Sequence, residues 1–237
     1  MPDMDVNQYA LTHGIRSTRT TLAHWQRDPA PVVRSWFLGA FAVAVLLLFA
    51  VWVIASLVGP DTGFNYVPDH PQGFEGEHIA AFVGRNSLVL ALHAFACVAG
   101  FIAGSSLALA AEHRRGISRW VHERARPVAF AWVIAVTCFS LITQAFALGI
   151  YGSTLSASLD ISPALLVATV LPHALLELTA VFLPLAAWTI ASRRDEWDQL
   201  LAATVVTVVI AIPMLLVSAV WEAHVWPYLL QAASPAY

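Results

Sequence analysis

The stretch LVATVLPHALLELTAVFLPLAAW, residues 166–188, decides the fold class because it places a carboxyl group inside a long apolar run. About 20 apolar residues in a helix span the hydrocarbon core of a bilayer. A charged side chain at the bilayer centre is costly, so such residues usually serve a function or a specific polar partner. Glu177 is therefore the first candidate for a functional residue.

Two neighbours of Glu177 add to this signal. His173 lies four residues earlier, so both side chains project from one face of a helix. Pro172 lacks a backbone N–H and predicts a break or a kink with a freed carbonyl. Because desolvation disfavours a carboxylate, Glu177 should face the bundle interior and meet a hydrogen-bonding group. That group is expected within direct or one-water reach, from one of four side chains: His173, His93, Asn86 or Gln144.

The composition of the chain is that of a membrane protein. Its 237 residues are 59% hydrophobic and 11% charged, whereas about 25% charged residues is typical of soluble domains. Five apolar runs are long enough to span a bilayer: 36–58, 86–111, 128–151, 163–191 and 200–221. None alternates as a membrane β-strand does. The sequence therefore predicts an all-α fold, a polytopic bundle of five transmembrane helices.

Arginine placement predicts the orientation of this bundle. When the five runs are threaded in order, every arginine except Arg85 falls on one side of the membrane. The positive-inside rule assigns that side to the cytoplasm. We therefore expect a cytoplasmic N-terminal segment over 1–35, a transmembrane domain over 36–221 and a short outer tail over 222–237. Residues 79–85 are expected to lie along the outer interface before the chain turns in.

This orientation brings several polar residues into the outer half of the bundle. His93 lies about 10 Å in from Asn86, and Glu177 lies about 21 Å in from Pro163. Taken alone, His93 is more often a packed histidine bonded to a backbone carbonyl, and Gln144 an ordinary interhelical hydrogen-bonder. Together seven residues can converge on one cavity: Arg85, Asn86, His93, Gln144, His173, Glu177 and Glu222.

Other motifs are weaker. The spacing of His173 and Glu177 suits a metal pair with His93 or Glu222 as a third ligand, but HExxH is absent. The stretch GFIAG, residues 100–104, has GxxxG spacing and predicts close helix packing or a homodimer. The net charge of −3 indicates no nucleic-acid partner. Walker and GxGxxG motifs are absent, so no cofactor is predicted.

Three stretches of the chain carry the motifs of a known membrane-protein family. They are FVGRNSLVLALHAFACVAGFIAG, LPHALLELTAV and LLVSAVWEAHVWP, at residues 82–104, 171–181 and 215–227. In this order and spacing, the chain resembles the stage II sporulation protein M family of bacterial and archaeal membrane proteins. Position by position, the resemblance implies a polar signature at Asn86, Pro172, His173, Glu177 and Glu222.

The resemblance implies a multi-pass protein of the bacterial cytoplasmic membrane that works in a cell-envelope complex. Its partners would be membrane lipids, other envelope membrane proteins, cell-wall remodelling enzymes and a second copy of the chain. The leading interpretation is a non-enzymatic component with an outer-facing polar pocket for a partner or a lipid. A permease or lipid-handling transporter is the first alternative. An intramembrane metal-dependent hydrolase is the second.

Overall fold

The computed structural model describes residues 6–61, 76–106 and 117–236, and this part of the chain contains helices and turns but no β-strand. A π-helical turn, Ile102–Ser106, continues the third helix, and a short 3-10 turn, Trp197–Gln199, leads into the sixth. The helices are α1 Val6–Trp25, α2 Ala30–Leu57, α3 Gly76–Phe101, α4 Ile117–Ser158, α5 Pro163–Arg193, α6 Leu200–His224 and α7 Trp226–Ala233.

Five helical segments in this part are long and apolar enough to cross a membrane, which confirms the predicted all-α, five-span fold. They are Ala30–Leu57, Ile79–Gly104, Phe130–Ser158, Pro163–Arg193 and Trp197–His224. The first begins before the apolar run because Pro31 fits the first turn of a helix. The orientation of the bundle in the membrane stays a prediction from the arginine pattern.

The start of α3 differs from the expectation for residues 79–85. These residues do not form a separate interfacial segment, because α3 runs without interruption from Gly76 to Phe101. No proline interrupts this stretch, so its apolar residues extend the helix by almost three turns. Asn86 therefore lies about 15 Å along α3, at 1.5 Å per residue, rather than at its entrance.

Helix α5 lies at the centre of the bundle, in contact with α2, α3 and α6. Its second half is buried almost without interruption from Thr179 to Trp188. The predicted interruption at Pro172 is not a break, since α5 stays helical through both Pro172 and Pro184. Prolines are tolerated in membrane helices where neighbouring groups satisfy the freed backbone.

Gly100 of α3 and Gly104 of the π-helical turn pack closely against tryptophan rings. A Cβ atom at Gly100 would lie 2.6 Å from Nε1 of Trp188, and one at Gly104 would overlap the ring of Trp197. Trp197 is held in place by its buried ring and by the hydrogen bond that its Nε1 donates to Asp195 Oδ1 at 2.7 Å. The close packing predicted for this GxxxG spacing is confirmed. On this face the glycines pack against Trp188 and Trp197 of the same chain, and a homodimer stays a prediction.

Helix α4 is the least buried of the five spans and packs mainly against α2. Gly149 permits the close approach, because a Cβ atom there would lie 2.6 Å from Cβ of Ile54. A Cβ atom at Gly152, one turn later, would meet Ala55 Cβ at an ordinary 3.7 Å. The contact between α2 and α4 is thus narrowest at Gly149.

We expect Gly149→Ala to weaken the packing of α4 and lower the free energy of unfolding by about 1–3 kcal/mol, a typical cost of overpacking. Thermal unfolding in detergent measures the change. Gly152→Ala is the matched control and should be neutral. Adding Ile54→Ala should recover part of the loss because it removes the Ile54 Cγ2 atom, which lies 2.5 Å from the new Cβ atom. A cost that stays the same in the Ile54→Ala background would contradict the proposed contact.

Helix α1 is docked across one end of the bundle. A Cβ atom at its buried Gly14 would lie 3.2 Å from the side chains of both Phe101 and Leu201. Ser17 Oγ donates a hydrogen bond to the carbonyl of Asp198 at 3.0 Å. The described arginines outside α3 and α4 gather at this end: Arg16, Arg19, Arg27, Arg34, Arg193 and Arg194.

Helix α7 closes the opposite end. Trp226 Nε1 donates to Thr169 Oγ1 near the start of α5, at 3.3 Å. Ser234 Oγ, just beyond α7, donates to the carbonyl of Leu159 in the turn between α4 and α5. The segment after α6 therefore folds back over the beginning of α5.

Candidate functional site

Glu177 lies halfway along α5 and faces α3 and α6. The Asn86 side chain of α3 lies within hydrogen-bonding reach of the Glu177 carboxyl group. Ser218 of α6 also reaches it, with Oγ at 3.5 Å from Oε2. The prediction that Glu177 turns inward and meets a polar group of another span is confirmed, with Asn86 as that group.

A second carboxyl group and a guanidinium complete this arrangement. Arg85, next to Asn86 on α3, acts electrostatically on both Glu177 and Glu222. Glu222 also interacts with Glu177 and lies one helical turn after Ser218 on α6. The arrangement, which we call the Glu177 cluster, consists of Arg85, Asn86, Glu177, Ser218 and Glu222. It joins three spans and contains two carboxyl groups for one cation.

Ser218 is the member that the sequence interpretation missed. It is fully buried, and its hydroxyl donates to the carbonyl of His173 at 3.0 Å. A hydroxyl has one proton, so the 3.5 Å contact with Glu177 is the weaker one. A lone serine among small apolar residues carries little information. Its i, i+4 spacing to Glu222, on the same face of α6, was the available signal.

His173 takes part through its backbone rather than its ring. The ring is buried and packs against Trp226, with centroids 5.7 Å apart. Within the described residues, Nδ1 has no hydrogen-bond partner. The His173 ring is therefore not the partner that Glu177 finds. Pro172, one residue earlier, lies exposed on the surface of the bundle.

His93 and Gln144 form their hydrogen bonds outside the Glu177 cluster. His93 Nδ1 donates to the carbonyl of Val181 on α5 at 2.9 Å, the packed-histidine arrangement. One turn further along α3, Cys97 Sγ donates to the carbonyl of Pro184 at 3.1 Å, so both side chains tie α3 to α5 around an internal proline. Gln144 Nε2 donates at 2.8 Å to Ser140 of its own helix. Within the described residues, Gln144 forms no hydrogen bond with the Glu177 cluster, because α4 lies at the edge of the bundle.

The candidate metal ligands do not assemble in the part of the chain that the structure describes. Across residues 6–61, 76–106 and 117–236, no three His, Cys, Asp or Glu side chains come together as a possible metal site. His93 is engaged with Val181, and the ring of His173 packs against Trp226. The described geometry instead brings a carboxyl pair near a cation and an amide.

A family model described as Stage II sporulation protein M matches residues 127–227. This segment of the chain is similar to that family, and the resemblance seen in the stretches 171–181 and 215–227 is thus confirmed. The five long apolar helices indicate a multi-pass membrane protein. Neither a curated protein nor a solved structure matches the chain.

The sporulation protein M match places the Glu177 cluster partly inside and partly outside the domain. The matched segment includes α5 and α6, and with them Glu177, Ser218 and Glu222. Arg85 and Asn86 on α3 precede the matched residues. The carboxyl groups and the serine therefore belong to the matched segment, while α3 supplies the cation and the amide.

Proposed function

We propose that this chain is a non-enzymatic component of a cell-envelope complex and that the Glu177 cluster docks a segment of a partner membrane protein. The observation that carries the proposal is the convergence of five polar side chains from three spans in an otherwise apolar bundle. Polar groups within membrane spans are costly and mark functional sites by default.

The charge and exposure of the cluster favour docking. Glu177 and Glu222 are half-buried and Arg85 is exposed, so the cluster is reachable from the surface of the bundle. Its two carboxyl groups share one guanidinium. A cationic or hydrogen-bond-donating segment of another envelope protein, such as a cell-wall remodelling enzyme or its membrane anchor, would complement the remaining negative charge.

The test compares partner recovery in charge-neutral variants. Glu177→Gln and Glu222→Gln keep the side-chain volume, so the protein should still insert into the membrane. Crosslinked pull-downs from native membranes should lose a specific partner by tenfold or more, the effect of about 1.4 kcal/mol. Asp160→Asn makes the same chemical change in the α4–α5 turn, and its positive φ of 55° suits asparagine. It should recover the partner normally.

Recovery that is unchanged in both glutamine variants would refute docking at this cluster. Loss of the partner in Asp160→Asn as well would show that surface charge, rather than the cluster, attracts it. Quantifying each variant in isolated membranes separates loss of binding from loss of insertion.

A further inference from the structure

A cavity of about 200 Å³ lies at the end of the bundle opposite the Glu177 cluster, between α1, α2, α5 and α6. Its wall contains an apolar part, formed by Trp25, Trp36 and the small residues of α5. Its polar part includes Arg194, at the end of α5, and Glu196, in the loop that follows. The cavity thus has the amphipathic lining that a ligand at a membrane interface requires.

The two tryptophans form a rigid side of this cavity. Trp25 of α1 and Trp36 of α2 are buried and meet edge to face, with centroids 5.2 Å apart. Tryptophans are enriched at the level of lipid headgroups, where one side of the ring is apolar and the other wet. Since α1 contributes Trp25, docking of α1 completes the cavity.

The polar part presents one guanidinium and one carboxyl group, and also the His24 imidazole and the Ser35 hydroxyl. Among the described residues, neither the Arg194 guanidinium nor the Glu196 carboxyl group forms an ion pair. Gln199 adds an amide to the same wall. A purely anionic ligand would be attracted by the Arg194 guanidinium but repelled by the Glu196 carboxylate. A ligand with a phosphate and an ammonium group close together would satisfy both.

We propose that this cavity binds the headgroup of a phospholipid with a primary ammonium group, the chemistry of phosphatidylethanolamine. Its phosphate accepts hydrogen bonds from Arg194, and its ammonium donates to Glu196. Pockets between transmembrane helices at a basic membrane face are suited to lipid headgroups. The acyl chains then leave the cavity along the apolar surface of the bundle. This site is independent of the docking function proposed for the Glu177 cluster.

Native mass spectrometry of the full chain, purified and exchanged with defined lipids, tests the proposal. Phosphatidylethanolamine should be retained about tenfold more than phosphatidylcholine with the same acyl chains, because a trimethylated nitrogen cannot donate to Glu196. Arg194→Gln should reduce retention of both lipids about tenfold. Glu196→Gln should remove the preference between them and leave phosphate binding in place.

The neighbouring arginine supplies a matched control. Arg193→Gln removes the same charge one residue earlier, but Arg193 does not line the cavity. It should retain lipid like the wild type, and Arg194→Lys should retain part of it. Equal losses in Arg193→Gln and Arg194→Gln would overturn the site in favour of general attraction to the basic face. Displacement of the lipid by inorganic phosphate alone would assign the cavity to free phosphate. A wild-type chain without preference among lipids would also refute the proposal.

Discussion

Gly104→Ala is expected to lower the free energy of unfolding by about 3 kcal/mol or more, at the upper end of overpacking costs. The new Cβ atom would overlap the Trp197 ring, which is buried and tied to Asp195. Neither the new Cβ atom nor the Trp197 ring can move without opening the contact between α3 and the loop before α6. Thermal unfolding in detergent and the yield of monodisperse protein both measure the loss.

Gly84→Ala is the matched control for this prediction. It lies on the same helix, but a Cβ atom there has no neighbour within 4 Å. Alanine should be neutral or stabilise the helix by about 0.5–1 kcal/mol, the usual difference from glycine. Combining Gly104→Ala with Trp197→Ala should cost less than the two single changes added, because the second change removes the obstacle. Full additivity would contradict the contact.

Arg85→Gln should lower the free energy of unfolding by about 1–2 kcal/mol. This figure lies below the usual cost of breaking a buried ion pair because the Arg85 side chain is exposed. The physical reason is repulsion, since Glu177 and Glu222 interact with each other and share Arg85 as their nearby cation. Urea or thermal unfolding of the full chain in detergent gives the value.

A neutral background separates charge from packing in this prediction. In Glu177→Gln with Glu222→Gln, the repulsion is gone, so adding Arg85→Gln should cost almost nothing. Arg85 also lies over the ring of Phe82, with Cζ 5.9 Å from its centroid. An equal cost of Arg85→Gln in both backgrounds would show that this stacking, rather than charge, explains the effect. Arg193→Gln should leave the free energy of unfolding unchanged in either background.

The spans were predictable because each depends on one strong signal, a long apolar run. The ends of the spans were less predictable from the sequence. Residues 79–85 run apolar into the second span, and we expected them to lie along the outer interface before it. The helix nevertheless extends back to Gly76, because no proline interrupts the stretch.

Helix α1 shows a second limit. Its sequence is polar on average, so the pattern predicted only a cytoplasmic N-terminal segment over 1–35. Contacts with Phe101 and Leu201 at Gly14 dock it on the bundle, and both lie far from α1 in the chain. Tertiary contacts of this kind leave no periodic signal in the local sequence.

The candidate site was predictable in part for the same reason. A carboxyl group inside an apolar span is costly, so the depth of Glu177 alone predicted an inward orientation and a polar partner. Which partner it finds depends on the rotation of each helix about its axis. That rotation turns the His173 ring toward Trp226 and brings Ser218 to the cluster. No spacing rule within one span determines it.

The return of α7 over the start of α5 has a consequence for biosynthesis. Trp226 and Ser234 follow all five spans in the chain, yet they bond to Thr169 and Leu159, which are synthesised long before them. Because chains emerge from the ribosome N-terminal end first, these bonds form only after α6 has entered the membrane. The end of the bundle that α7 covers is therefore the last to close during translation.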